Sequence, residues 1–221
     1  MMRYKAIGFD MDGTLIDSVI NYEKLANVEF DVLTGMGVPA DLLEGKGDKD
    51  SILAGLKYLN SHGNDISKKD LEKKINTRAG EIESESVHLA KAYPGVDKML
   101  TELRAKGYRI GLLTRGQRMY AEKAMGELDL LKYMDALQAY DDHPIGEQKP
   151  NPIAMRYLAD DLGVDVKDIL YVGDNLWDYF CARDAGSAFI GVASGANGRL
   201  RWERYPEVTV VDNVADIVEY L

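Results

Sequence analysis

The sequence predicts an α/β fold in which a parallel sheet carries helices on both faces and an all-α segment is inserted after the first strand. Three observations support this prediction. Short apolar runs alternate with amphipathic stretches from Pro94 onward, as in parallel sheets that are covered on both faces. Residues 17 to about 92 contain helical patterns and no convincing strand. The apolar run "YKAIGF" precedes that segment, so we expect it to join the later strands in one sheet.

The first predicted helix follows this strand. Ser18 is expected to cap a helix that runs from about Val19 to Leu33, because serine oxygens accept hydrogen bonds from the first free N–H groups of a helix. Gly35 and Gly37 are expected to end it.

Two further helices complete the inserted segment. One is predicted in "DKDSILAGLKYLNSHG", where Gly63 ends it. The other is long and covers "SKKDLEKKINTRAGEIESESVHLAKAY", because Leu71, Ile75, Ala79 and Ile82 keep helical spacing.

Strands and helices alternate in the rest of the chain. Strands are predicted in "YRIGLLT", "DALQAY", "DILYVGD", "AFIGVA" and "VTVV", and helices in "VDKMLTELRAKG", "QRMYAEKAMGELD", "NPIAMRYLADDLG", "NLWDYFCARDAG" and the tail. The predicted core therefore consists of residues 1–16 and 93–221, and the inserted helical domain of residues 17–92.

Composition and charge exclude several classes of protein. The 221 residues are 46% apolar, which is enough for a core, and the net charge of −10 argues against nucleic acid or an anionic membrane surface as a partner. The single cysteine, Cys181, allows no intramolecular disulfide. No apolar run approaches the roughly 20 residues that span a bilayer, and "MMRYKAIGF" is too short for a secretory signal. We expect a cytoplasmic protein.

Polar residues stand where the predicted strands end. Ligands of open parallel sheets bind beyond the carboxyl ends of the strands. The side chains expected at that edge comprise four carboxylates, one hydroxyl and one ammonium group, from Asp10, Asp12, Asp174, Asp178, Thr114 and Lys149. Four carboxylates would repel one another unless a cation lay among them, and oxygen ligands of this kind suit Mg²⁺.

This set of residues is suited to phosphoryl transfer. One aspartate of the "DMD" pair can bind the metal and attack an electrophile, while the other gives and takes a proton. Mg²⁺, Lys149 and Thr114 would neutralise the charge on the phosphate oxygens. Gly13 would let backbone N–H groups approach the phosphate closely.

Together these segments resemble the four motifs of the haloacid dehalogenase superfamily. They are "DMDGT", Thr114 after an apolar strand, Lys149 before Pro150, and "GDNLWD" at 173–178. The inserted segment resembles the family's helical cap of the first type. The resemblance implies a Rossmann-like core and, within the family, phosphatases similar to phosphoglycolate phosphatase.

The resemblance also implies a role for each motif residue. Asp10 matches the nucleophile that forms an aspartyl-phosphate, and Asp12 matches the general acid that later acts as a base. Thr114 and Lys149 match the phosphate-holding positions. Asp174 matches a Mg²⁺ ligand and Asp178 an acidic residue that supports it, so the predicted metal-binding carboxylates are Asp10, Asp12, Asp174 and Asp178.

Three features bear on the substrate. An acid at Asp12 favours an alkoxide leaving group that needs a proton, which means a phosphate ester. Arg115 stands where many relatives have a small polar residue, and we expect it to contact the substrate phosphate. The loop of Gly45, Lys46 and Gly47 is either a plain helix connector or a cap loop that folds over the core site and contacts the leaving group.

These observations predict a Mg²⁺-dependent phosphatase of small phosphate monoesters, phosphoglycolate-like or sugar phosphates, with an aspartyl-phosphate intermediate. A phosphomutase of the beta-phosphoglucomutase type and a non-catalytic binding protein remain alternatives. The "GRLRWERYP" segment at 198–206 is either a stacking platform for a nucleotide or a site of local packing. The expected partner is a small phosphorylated metabolite, with no nucleic acid or membrane, and the expected state is a monomer or homodimer.

Overall fold

The computed structural model describes residues 3–195 and 198–221. The chain divides into two compact units, one formed by Met1–Val19 with Val87–Leu221 and the other by Ile20–Ser86. No helix in the described part of the chain is long and apolar enough to cross a membrane.

The helices and strands follow one another along the chain, and from residue 94 onward they keep the predicted alternation. They are β1 (Ala6–Phe9), β2 (Ile16–Asp17), α1 (Tyr22–Ala26), α2 (Val28–Gly35), α3 (Asp48–Ser61), α4 (Lys68–Ser84), β3 (Lys91–Ala92), α5 (Val96–Ala105), β4 (Arg109–Leu113), α6 (Arg118–Glu127), β5 (Ala136–Gln138), α7 (Ile153–Leu162), β6 (Ile169–Gly173), α8 (Leu176–Ala185), β7 (Ala188–Val192) and β8 (Thr209–Val211). The tail, which is predicted to be helical, forms a 3-10 helix, Val214–Tyr220.

The larger unit is built on a six-stranded sheet in the order β5-β4-β1-β6-β7-β8, and all five strand pairs are parallel. This confirms the predicted α/β fold. In the register of the central strands, Phe9 pairs with Leu112 on one side and with Val172 on the other. β1, β4 and β6 therefore end at the same level, and the residues that follow them meet at one edge.

Apolar side chains hold α7 and α8 against this sheet. Leu158 and Leu162 of α7 belong to a buried cluster that also contains Tyr171 of β6 and Cys181 of α8. This packing fixes the positions of β6 and α8, which carry the "GDNLWD" motif at their junction.

The smaller unit contains α1 to α4 and has its own apolar core. Leu33 of α2, Leu59 of α3, and Leu71 and Ile75 of α4 are buried there together. The helical spacing that predicts α4 therefore marks its buried face.

The first helix differs from the prediction. Asn21 caps it and not Ser18, because the Asn21 side chain accepts the N–H of Lys24 at 3.0 Å. The Ser18 side chain is engaged elsewhere, in a hydrogen bond with Asp12. The helix is also interrupted at Asn27, where α1 gives way to α2.

The third predicted helix is shorter than expected, since α4 ends at Ser84. Residues of the predicted helical segment then form β3, whose Ala92 pairs with Ile16 of β2 in an antiparallel ribbon. The N–H of Tyr93 extends this pairing to the carbonyl of Leu15 at 3.0 Å. The prediction of no convincing strand in residues 17 to about 92 is wrong at Lys91–Ala92, because pairing with a distant segment determines the conformation here.

Candidate active site

The carboxyl edge of the sheet gathers residues from all four motifs. Asp10 follows β1 and its N–H donates to the carbonyl of Val172 at 2.9 Å, which ties it to β6. The N–H of Thr114 donates to the carbonyl of Gln138 at 2.9 Å, so Thr114 continues the pairing of β4 with β5. These backbone hydrogen bonds thus fix the main-chain positions from which the Asp10 and Thr114 side chains extend.

Three carboxylates form a compact acidic cluster. One oxygen each of Asp10, Asp174 and Asp178 lies within 4.8 Å of the others, and the residues are only 7%, 8% and 1% exposed. Buried like charges at this spacing favour a cation between them. Carboxylate oxygens are the ligands that Mg²⁺ prefers, so the donor set fits this ion. The sequence-based set also contains Asp12, but this cluster does not.

Lys149 joins two of these carboxylates. Its Nζ donates to Asp10 Oδ1 at 2.6 Å, to Asp178 Oδ1 at 2.6 Å and to the Tyr171 hydroxyl at 3.0 Å. Burial by itself lowers the pKa of Lys149, but the charges of Asp10 and Asp178 outweigh it and the net shift is upward. The Lys149 side chain is therefore a buried, fully charged ammonium group.

The acidic cluster shifts the pKa of its own members. Burial raises the pKa of Asp10 well above its usual range, the charge of Asp178 adds to the rise, and Lys149 opposes it. Burial and Asp178 also raise the pKa of Asp174 to about 7, against the effect of Arg201. These carboxylates consequently depend on nearby positive charge to stay ionised.

Two glycines make room for the cluster. Gly13 has φ +82°, and a Cβ there would lie 2.8 Å from Asp174 Cγ. A Cβ on Gly173 would lie 2.5 Å from the Asp178 carboxylate. The N–H of Gly13 donates to the carbonyl of Ile16 at 2.9 Å, so this N–H is already engaged within the turn. The structure shows that the absence of a Cβ at Gly13 leaves space for Asp174, and the role of Gly13 as an approach for phosphate stays a prediction.

Asp12 occupies a separate environment. It is half-buried, and its Oδ1 accepts the hydroxyl of Tyr120 at 2.6 Å. Burial raises the pKa of Asp12, while hydrogen bonds from Ser18 and Tyr120 act in the opposite direction. The two aspartates of the "DMD" pair thus differ in their partners, since Asp10 accepts a hydrogen bond from the Lys149 ammonium group and Asp12 accepts one from the Tyr120 hydroxyl.

Thr114 and Arg115 lie on the loop between β4 and α6. Thr114 is buried, and its Oγ1 accepts the N–H of Gly116 at 2.9 Å. Arg115 is exposed, with its guanidinium carbon 3.7 Å from the centroid of the Trp177 ring. One of its N–H groups donates to the carbonyl of Lys149 at 2.8 Å. Arg115 therefore lies beside the backbone of Lys149, over an aromatic face.

Arg201 is a site residue that the sequence analysis missed. Its Nη1 donates to the backbone carbonyl of Asp174 at 2.9 Å and lies 3.3 Å from Asp174 Oδ2. The neighbouring Trp202 is buried and Arg199 pairs with Asp212 at 2.7 Å, so these two residues are engaged in local packing and pairing. No short motif marks Arg201, because its contact depends on the fold of a loop that follows β7.

The sequence analysis also did not identify Tyr120 and Tyr171 as site residues. Tyr171 is buried within β6, and its hydroxyl donates to the carbonyl of Leu113 at 2.8 Å. An alternating apolar strand pattern includes such a tyrosine without revealing what its hydroxyl contacts.

Within the smaller unit, Gly45, Lys46 and Gly47 form an exposed segment just before α3, and their role in specificity stays a prediction.

Comparison with known proteins finds similarity to one hydrolase family and to phosphatases. A model of the haloacid dehalogenase-like hydrolase family matches residues 4–186. A phosphoglycolate phosphatase of Vibrio parahaemolyticus is 30% identical over 223 residues, which cover 97% of this chain and 95% of the relative. A phosphoglycolate phosphatase of Pasteurella multocida is 28% identical over 100% of both chains.

Solved structures share the fold. The crystal structure of a predicted phosphoglycolate phosphatase from Haemophilus somnus 129PT superposes with a TM-score of 0.67 and 26% identity, covering 100% of this chain and 99% of that one. A hydrolase from Pseudomonas syringae superposes with a TM-score of 0.66 at 22% identity, covering 98% and 97% of the two chains, which is a likeness of fold alone. The family match extends over most of the chain and includes all four motifs that meet at the sheet edge, so the chain belongs to the haloacid dehalogenase-like hydrolase family.

Proposed function

We propose that this phosphoric monoester hydrolase cleaves small phosphate monoesters in two steps, through an aspartyl-phosphate on Asp10. The observation that carries the proposal is that the two aspartates of "DMD" have different surroundings. Asp10 lies between Lys149 and two further carboxylates, whereas Asp12 is held apart by hydroxyl groups. A nucleophile and a proton donor need these two different environments.

In the first step, a carboxylate oxygen of Asp10 attacks phosphorus as the bond to the leaving oxygen breaks. Lys149 orients the Asp10 carboxylate through the 2.6 Å hydrogen bond and partly offsets the rise in its pKa that burial causes. Asp12 gives its proton to the departing alkoxide, which leaves as an alcohol. Mg²⁺ held by Asp10, Asp174 and Asp178 would supply neutralisation of the phosphate oxygens.

In the second step, Asp12 accepts a proton from water, and the water oxygen attacks the phosphorus of the aspartyl-phosphate. The P–O bond to Asp10 breaks, and inorganic phosphate and the free carboxylate are released. The raised pKa of Asp12 supports this exchange, because a carboxyl group with a low pKa would be a poor donor near neutral pH.

The proposed substrates are small esters such as phosphoglycolate or a sugar phosphate. The relatives named phosphoglycolate phosphatase support this class. Arg115 adds support, because a guanidinium group beside Lys149 suits a substrate with a second negative or strongly polar group. The cytoplasmic location and the monomeric or homodimeric state stay predictions.

The experiment is a phosphate-release assay across phosphoglycolate, sugar phosphates and nucleoside monophosphates, with Mg²⁺ and with EDTA. We expect release of free phosphate that needs the metal and no bisphosphate activator. A requirement for a sugar bisphosphate, with transfer to a sugar hydroxyl, would instead indicate the phosphomutase. As a control, Asp212→Asn removes an exposed carboxylate outside the site and should leave the rates unchanged.

A further inference from the structure

We infer that Tyr120 is a positioning residue for Asp12: its hydroxyl fixes the rotation of the Asp12 carboxylate, so that the proton is delivered to the leaving oxygen in the right direction. This inference rests on the proposed role of Asp12 as acid and base. It adds a residue from α6 that lies outside all four motifs.

The hydrogen bond between these residues is short and rigidly supported. The Tyr120 hydroxyl donates to Asp12 Oδ1 at 2.6 Å, a distance typical of a strong bond from a hydroxyl to a carboxylate. Tyr120 is 1% exposed, and a fully buried ring on a helix has little freedom to move. Asp12 is a half-buried residue, and the hydrogen bond from Tyr120 gives its carboxylate one orientation.

The same ring also packs against the Thr114 loop. A Cβ on Gly116 would lie 2.8 Å from Tyr120 Cδ1, so only glycine allows this contact. The N–H of Gly116 in turn donates to Thr114 Oγ1 at 2.9 Å. Tyr120 thus links the loop of the phosphate-holding threonine to the proton donor, by its ring on one side and by its hydroxyl on the other.

A purely structural role is the competing explanation, because a buried phenol needs a hydrogen-bond partner whatever its function. The two explanations differ in their dependence on the leaving group. An alkoxide needs a proton as it departs, whereas para-nitrophenolate leaves readily without one. A defect in proton delivery must therefore affect an alkyl phosphate much more than an aryl phosphate in kcat/KM, which reports the first step.

The test is Tyr120→Phe, which removes the hydroxyl and keeps the ring against Gly116. We expect kcat/KM for an alkyl phosphate to fall roughly tenfold or more, chiefly through kcat, and kcat/KM for para-nitrophenyl phosphate to fall less than about threefold. The matched control is Tyr133→Phe, which removes a hydroxyl that donates to Asp97 at 2.7 Å outside the site. For both substrates, kcat/KM of the control variant should match that of the unaltered protein.

A double-mutant cycle keeps the test independent of small changes in stability. If Tyr120 acts through Asp12, then adding Tyr120→Phe to Asp12→Asn should slow alkyl phosphate cleavage no further. Equal losses on both substrates, no loss at all, or full additivity in the cycle would overturn the inference. An alkyl phosphate rate in Asp12→Asn equal to that of the unaltered protein would instead overturn the proposed function itself.

Discussion

The Lys149 ammonium donates a hydrogen bond to Asp10 at 2.6 Å, across 139 positions of sequence, and both side chains are buried. A buried ion pair adds little stability in itself, but losing one partner leaves the other charge uncompensated. At this site Lys149 also bonds to Asp178. One ammonium group therefore compensates two buried carboxylates.

Lys149→Met tests this arrangement. Because Asp10 and Asp178 would lose their shared cation, we expect the free energy of unfolding of the metal-free protein to fall by about 3–5 kcal/mol. Phosphatase turnover should fall at least about a hundredfold. Urea denaturation and a phosphate-release assay measure the two effects.

Lys167→Met is the control, since Lys167 pairs with Asp165 at 3.5 Å on the surface. Its free energy of unfolding should change by less than about 1 kcal/mol. A Lys149 variant as stable and active as this control would refute the role assigned to the buried ammonium.

Gly13→Ala should weaken metal binding. Its new Cβ would lie 2.8 Å from Asp174 Cγ and displace that carboxylate from the acidic cluster. Calorimetric titration with Mg²⁺ should show affinity reduced by about tenfold or more. Gly107→Ala has nearly the same positive φ, +85°, with no heavy atom within 4 Å of the added Cβ, so it should share the backbone strain and keep the Mg²⁺ affinity. Equal Mg²⁺ affinities in the two variants would argue against the idea that a Cβ at position 13 displaces Asp174.

The stability of the metal-free protein should depend on pH through Asp174 and Asp10. Their pKa values are raised in the folded state, Asp174 to about 7, so the folded protein binds more protons than the unfolded chain above the usual aspartate range. Their contribution to stability is therefore present at acid pH and is lost as pH rises through about 7. Mg²⁺ binds the ionised forms, so the rise in Tm that it causes should grow between about pH 5 and pH 8. Thermal scans with Mg²⁺ and with EDTA would contradict this if the rise in Tm shrank with pH.

Arg115→Ala should change substrate preference, measured by KM, more than the rate of the chemical steps, measured by kcat. The guanidinium group lies over Trp177 beside Lys149, where it can contact a second polar group on the substrate. We expect KM for phosphoglycolate to rise about tenfold, with kcat changed little, and KM for para-nitrophenyl phosphate to stay within about threefold. Arg183→Ala removes another arginine that lies over an aromatic ring, that of Phe180 at 4.9 Å, and should leave both KM values unchanged. Equal effects of Arg115→Ala on both substrates would argue against a specificity role.

The sequence predicted the sheet and the residues at its edge well, because both depend on local patterns. Apolar runs of four or five residues mark β1, β4 and β6, and any residue that follows such parallel strands must reach the same edge. Asp10, Thr114 and Asp174 could therefore be expected to lie near one another before their contacts were known.

Contacts between distant segments explain what the sequence did not predict. Tyr120 and Asp12 are 108 positions apart, and Arg201 reaches Asp174 from a loop beyond β7. The cap of α1 was assigned to Ser18 because serine caps helices well, but the hydrogen bond with Asp12 uses that side chain. In these cases the partner is set by tertiary packing, which local propensity does not contain.

The most direct test of the account is detection of the phosphoryl group on Asp10. The Asp12→Asn variant is mixed with excess para-nitrophenyl phosphate and Mg²⁺, quenched in acid within milliseconds to seconds, and digested for mass spectrometry. Because the aryl group leaves without a proton and the variant lacks the base for hydrolysis, we predict one phosphoryl group per protein on the peptide with Asp10, and none when Asp10 is also changed to Asn. Phosphoryl transfer to another residue, or a burst of nitrophenol with no protein-bound phosphate, would contradict the mechanism.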